Sequence, residues 1–90
     1  MDEKRKRKAA VAVKYTQGQI APKILAKGKG VVAENILSQG KDHSVETYKN
    51  EELVNELIKS DIGSYISQDL YFAVAQVLAF ISELDEIDQE

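Results

Sequence analysis

The sequence contains no cysteine, which excludes a disulfide framework, a thiolate nucleophile and a cysteine-ligated zinc site. One proline and five glycines among 90 residues exclude a collagen-like or low-complexity chain. No apolar run reaches the roughly 18 residues that a membrane-spanning helix requires, and no apolar segment follows the N-terminal cations as in a secretory signal. We therefore expect one small cytoplasmic domain of ordinary composition.

The sequence also has few residues that could assemble a catalytic centre. His43 is the single histidine, and it lies in a polar stretch next to Asp42, where we expect an ordinary loop residue. No G-x-S-x-G motif and no second histidine at metal-ligand spacing occur. The segment Gly28-Lys29-Gly30 lacks the remaining residues of a phosphate-binding loop, so we expect a tight turn there. The residues predict no enzyme, no metal and no cofactor.

The net charge of −3 is unevenly distributed along the chain. Five consecutive cations occupy Lys4–Lys8, whereas Ala9–Glu90 has a net charge of −6. We predict a flexible basic arm at residues 1–8, a folded domain at residues 9–84 and an acidic tail at residues 85–90. The arm is most simply a solubilising tail. Its alternative is an adaptor role in which it contacts nucleic acid or, peripherally, a membrane surface. We expect no nucleic-acid partner, because the body is acidic and lacks a nucleic-acid-binding signature.

Hydrophobic periodicity predicts strands in the first third of the chain. Ala9–Tyr15 is apolar and partly β-branched, and Ala21–Lys27 follows after a polar break, with Pro22 at the start where a missing N–H is tolerated. From Val31 the spacing becomes helical, and Gly40 is the expected end of that helix. The short connection between the two strands predicts an antiparallel pair.

The rest of the chain predicts one more strand and two helices. Ser44–Tyr48 alternates as a strand would, and Asn50 is a favourable N-cap for the helix after it. Ser67 is a second N-cap. The predicted class is α/β: a small mixed sheet of about three strands, with an antiparallel pair and one βαβ crossover, packed by three helices.

The last predicted helix is unusually apolar. Only Gln76 is polar between Leu70 and Ile81. One helical stripe contains Leu70, Val74, Val77, Ile81 and Leu84. We expect a core or interface helix that is covered on more than one side.

Three segments together resemble a known family: Ala10–Tyr15 (AVAVKY), Ala21–Gly28 (APKILAKG) and Ile66–Ala79 (ISQDLYFAVAQVLA). The chain from about Ala9 to Leu84 is similar to the cytoplasmic C-terminal domain of the FlhB/YscU family. That domain is the substrate-specificity switch of flagellar and injectisome type III export. The resemblance implies a protein-binding module, with apparatus proteins and export substrates as partners.

The resemblance ends at the N-terminal cations. Family members have Asn-Pro-Thr-His before the Ala-Val-Ala strand, and the Asn side chain attacks its own carbonyl carbon and breaks the backbone. The matching positions here are Arg5, Lys6, Arg7 and Lys8. Because these side chains cannot form a succinimide, we expect no autocleavage. The strand and the transmembrane half that precede the motif in the family are also missing from this sequence.

Two interaction surfaces follow as expectations. If no strand precedes Ala10–Tyr15, its edge is open to a partner strand or to self-association; the alternative is that it lies inside the sheet. In the family an apolar patch near the Ala-Pro dipeptide and the last helix is implicated in substrate docking. The matching residues are Ala21, Pro22, Ala75 and Leu78. The alternative for Leu78 is packing in the core.

Overall fold

A computed structural model of the chain describes residues 8–79. The elements in chain order are β1 (Ala9–Lys14), β2 (Lys23–Lys29), α1 (Val31–Asp42), α2 (Glu51–Leu57), a 3₁₀ turn (Gln68–Leu70) and a helix over residues 71–79, here α3. The predicted α/β class, the antiparallel pair and the three helices are confirmed. Residues 1–7 of the predicted arm (1–8) and the predicted tail at residues 85–90 lie outside the described part.

The two strands form an antiparallel hairpin, as their short connection predicts. Lys14 pairs with Lys23 near the loop, and Ala9 pairs with Lys29 at the other end. The register shifts once, so that Leu25 is an extra residue between two paired positions of β2. Both boundaries differ slightly from the prediction, since β1 ends at Lys14 and β2 begins only after Pro22.

The second edge of β2 is paired with a short extended segment at residues 63–66. The amide of Ile24 donates to the carbonyl oxygen of Ser64 at 2.9 Å, and the amide of Gly63 donates to the carbonyl oxygen of Ile24 at 2.7 Å. The amide of Ile66 also donates to Pro22 O at 3.0 Å. β2 is therefore central, with β1 on one side and this segment on the other.

The predicted third strand at Ser44–Tyr48 and the βαβ crossover are wrong for the described chain. Residues 45–50 have no regular structure and are exposed, and the described sheet contains only the antiparallel pair β1–β2. Ser44 has a left-handed φ of 59°, and the amide of Val45 donates to Gly40 O at 2.8 Å, closing the end of α1. The alternation was misleading because alternation produces a strand only where one face is buried.

The ends of the helices follow from specific residues. α1 continues past Gly40 to Asp42, and the left-handed residue that closes it is Ser44 rather than the expected glycine. The N-caps at Asn50 and Ser67 are as predicted. Asn50 Oδ1 accepts from the amide of Leu53 at 3.1 Å, and Ser67 Oγ accepts from the amide of Asp69 at 3.2 Å.

The core lies between the hairpin and the C-terminal elements. Five buried residues form its centre: Ala21, Ile24, Leu57, Ile66 and Val74. Six partly buried side chains surround them: Val11, Val13, Leu53, Leu70, Tyr71 and Leu78. α1 packs against both strands and contributes the buried Ala33. The loop containing Ala21 and Pro22 is thereby held against α3, which positions the predicted patch.

Candidate protein-interaction site

The Ala-Pro part of the predicted docking patch is buried. Ala21 is only 1% exposed and Pro22 is buried as well, immediately before β2. The hydrogen bond from Ile66 to Pro22 O holds this loop next to the segment that leads into α3. These two residues are therefore covered by the rest of the fold and are not themselves exposed to a partner.

The helical part of the patch is more accessible. Leu78 is half-buried and packs against the cluster that contains Ala21, whereas Ala75 is exposed. The structure therefore places Ala21 and Leu78 in or against the same core cluster and leaves Ala75 on the surface. Core packing, the alternative considered for Leu78, applies to the part of its side chain that faces the cluster.

An exposed face of α3, here called the outer face, was not predicted from the sequence. It consists of Phe72, Ala75, Gln76 and Ala79, all of which are exposed. Phe72 is 75% exposed, so the expectation that this helix is covered on more than one side is not met by residues 8–79. The sequence signal for this face was the spacing of Phe72, Ala75 and Gln76 at i, i+3 and i+4, because residues so spaced share one side of a helix and Gln76 is polar.

A shallow cavity of about 370 Å³ lies beside the outer face. It is lined by Tyr48, Asn50, Ala73, Gln76 and Val77. Its lining therefore comes from α3 and from the irregular segment before α2. The lining is mixed in polarity, so the cavity offers both apolar and hydrogen-bonding contacts to a partner.

The hairpin and the helical part of the chain carry net charges of opposite sign. Residues 8–33 contain five lysines and no acidic residue, while residues 34–79 contain eight acidic residues and three lysines. Lys23 Nζ lies 5.1 Å from the centre of the Tyr65 ring, a cation–π contact. All charged side chains of residues 8–33 are thus cationic, whereas the sequence predicted a basic cluster only in the N-terminal arm.

The remaining predicted residues lie apart from this surface. His43 caps the end of α1, with Nδ1 2.8 Å from Gln39 O, as a structural loop residue would. Within residues 8–79, no group of three metal-ligating side chains is present. Lys8 is exposed and its carbonyl oxygen accepts from the amide of Gly30 at 2.7 Å. Arg5, Lys6 and Arg7 lie outside the described residues.

Residues 7–81 match the model of the FlhB HrpN YscU SpaS family. The chain belongs to that family. None of the helices in the described region has the length and apolarity needed to cross a membrane.

Solved structures show the same family relation in three dimensions. The chain is similar to the cytoplasmic domain of FlhB from Shewanella putrefaciens, with 29% identity and a TM-score of 0.85 over 90% of this chain and 68% of that one. The PscU C-terminal domain shares the fold, with 21% identity and a TM-score of 0.77 over 81% of this chain and 95% of that one.

The sequence relatives differ greatly in length. The flagellar biosynthetic protein FlhB of Yersinia enterocolitica is 39% identical over 83 residues, which are 90% of this chain and 22% of that protein. The chain therefore spans about a fifth of that relative. YlqH of Bacillus subtilis, described as an uncharacterized protein, is 36% identical over 87 residues, which are 96% of this chain and 94% of YlqH.

Proposed function

We propose that this chain is a non-catalytic protein-binding module of flagellar or type III protein export, acting in the cytoplasm. It docks export substrates or components of the export apparatus, as the substrate-specificity switch domain that it resembles is implied to do. Family membership and the close fold similarity to the FlhB cytoplasmic domain support the export role. The observation that carries the binding role is the exposed, largely apolar outer face of α3, which includes Ala75.

The patch offers a physical basis for docking. Ala75 is small and exposed, so an apolar side chain of a partner can approach the helix backbone closely there. Leu78 supplies an apolar flank that is already held by the core cluster containing Ala21. Since each buried methylene stabilises a contact by about 0.8 kcal/mol, a short apolar anchor would bind weakly and reversibly. Such binding suits a site that must release each substrate.

A charge placed in the patch tests the proposal. Ala75→Asp puts a carboxylate where the apolar anchor would lie, and the substitution is tolerated because position 75 is exposed. A photo-crosslinking residue at position 79, on the same face, should capture flagellar export proteins in cells. Ala75→Asp should reduce this capture about tenfold.

The matched control is Ser38→Asp, which adds the same charge at an exposed position of α1. Capture should be unchanged in this variant. The docking proposal is wrong if Ala75→Asp folds normally and captures the same proteins as the unaltered chain, or if the captured proteins have no part in export.

The absence of autocleavage is a separate part of the proposal. Arg5, Lys6, Arg7 and Lys8 stand where the family has its self-cleaving motif, and none has a side-chain amide that could cyclise onto the backbone. Intact-mass measurement of the purified chain after prolonged incubation should show a single species. A pair of fragments that divide near these residues would contradict this.

A further inference from the structure

The hairpin has an edge to which no described residue is paired. β2 pairs with β1 along one edge, and its N-terminal end pairs with residues 63–66 along the other. β1 is paired only with β2 among residues 8–79. An unpaired strand edge presents backbone N–H and C=O groups that another extended chain can bond.

The register shows which residues of β1 present these groups. The amide of Gly30 donates to Lys8 O, so Lys8 and Gly30 form a hydrogen-bonded pair of the antiparallel ladder. Because such pairs alternate along the strands, Ala10 bonds to β2, whereas the backbone groups of Ala9 and Val11 point to the open edge.

The hairpin itself carries only positive charge near this edge, whereas α2, which also packs against β1, carries three glutamates. Lys8 and Lys14 lie at the two ends of β1, and Lys29 and Lys23 lie across from its ends on β2. Residues 8–33 contain no carboxylate, and the one further lysine of this stretch, Lys27, extends instead to carbonyl oxygens of the chain after α2. An extended segment on the edge would therefore have lysines of the hairpin near both of its ends.

We propose that the open edge of β1 binds an extended, acidic segment of a partner protein by strand addition. Amides of Ala9 and Val11 donate to carbonyl oxygens of the segment, and its Asp or Glu side chains pair with the flanking lysines. A second copy of this chain fits less well, because pairing two β1 strands would bring lysines of one copy against those of the other. The proposal does not depend on the docking patch of α3.

The probe is a capped heptapeptide that alternates glutamate and valine, and its counterpart with lysine in place of glutamate is the control. Titration of the full chain, followed by amide NMR, should show binding of the acidic peptide about tenfold tighter than the basic one. Raising sodium chloride to about 0.5 M should weaken it, because exposed charges are then screened. Hydrogen exchange at the amides of Ala9 and Val11 should slow, and that of Ala10 should stay as it was.

Two substitutions at one position separate strand addition from simple charge attraction. Ala9→Pro removes an amide that points to the open edge and should lower the affinity about tenfold without disturbing the β1–β2 ladder. Ala9→Val keeps the amide and should bind as the unaltered chain does. If Ala9→Pro does not fold, the hydrogen-exchange measurement on the unaltered chain decides alone.

Several results would overturn the inference: no binding, equal binding of the two peptides, unchanged exchange at Ala9 and Val11, or full binding by a folded Ala9→Pro variant. Dimerisation through β1 in the absence of peptide would assign the edge to a second copy instead.

The chain's own acidic residues 85–90 are a further candidate for the edge, so a variant lacking them is titrated in parallel. Unchanged affinity supports a partner segment, and about a tenfold gain would show that the tail occupies the edge.

Discussion

Lys27 extends from β2 to the chain that follows α2, where its Nζ lies 2.7 Å from the carbonyl oxygen of Ser60. The same Nζ lies 3.1 Å from the carbonyl oxygen of Ile58. Both carbonyls follow the last turn of α2, where helix oxygens lack intrahelical partners. One half-buried lysine therefore connects the hairpin to α2 and satisfies two backbone acceptors.

Replacing this lysine with an apolar residue of similar length should destabilise the fold. Lys27→Met removes both hydrogen bonds and leaves two partly buried carbonyl oxygens without a protein donor. The expected loss in the free energy of unfolding is about 1–3 kcal/mol, measured by urea denaturation. Lys29→Met is the control, since Lys29 is exposed on the same strand and its loss should change little. Equal effects of the two substitutions would remove the connecting role of Lys27.

Gly28 allows close contact between β2 and α1. A Cβ at this position would clash with Val32 Cγ1 and would lie 2.7 Å from Val32 Cβ. Gly28→Ala should therefore cost about 1–3 kcal/mol of stability, measured by thermal unfolding. Val32 is 51% exposed, so Val32→Ala alone should cost little. In the double variant only the part of the loss caused by Val32 Cγ1 should be recovered, because alanine keeps the Cβ at position 32; a loss equal to the sum of the single effects would show that the contact with Cγ1 is not the cause.

Ser44 has the left-handed conformation that normally favours glycine, with φ at 59°. Ser44→Gly should stabilise the chain by about 0.5–1 kcal/mol, because glycine has no Cβ to clash in this region. The comparison is Ser38→Gly in α1, which should destabilise by about 0.5 kcal/mol because a helix interior disfavours glycine. Denaturation midpoints that shift in the same direction for both would contradict the assignment.

Two adjacent residues of β2 should respond very differently to truncation. Ile24 is completely buried, and Ile24→Ala should cost about 2–5 kcal/mol through lost burial and a cavity. Leu25 is 54% exposed at the register shift, and Leu25→Ala should cost less than about 1 kcal/mol. Chemical denaturation of both variants tests the register, since a slip of one residue would exchange these two results.

The candidate site was predictable only in part. A resemblance in the sequence identified the family and the four patch residues, but it could not tell that Pro22 is buried while Ala75 is exposed. The outer face of α3 was missed because Phe72 and Ala79 look like core residues in a helix this apolar. Exposure of such residues depends on how many neighbours cover the helix, which is not a local property.

The sequence by itself determined the local structure: two apolar strands joined by a short polar loop, helices begun by Asn50 and Ser67, and a basic N-terminal cluster before an acidic remainder. These follow from interactions between residues close in the chain. Only the tertiary structure decided that residues 63–66, and not Ser44–Tyr48, pair with β2, and that Lys27 joins the hairpin to α2. Strand pairing of this kind depends on which distant segments can bury the same apolar face together, and no short window of sequence contains that information.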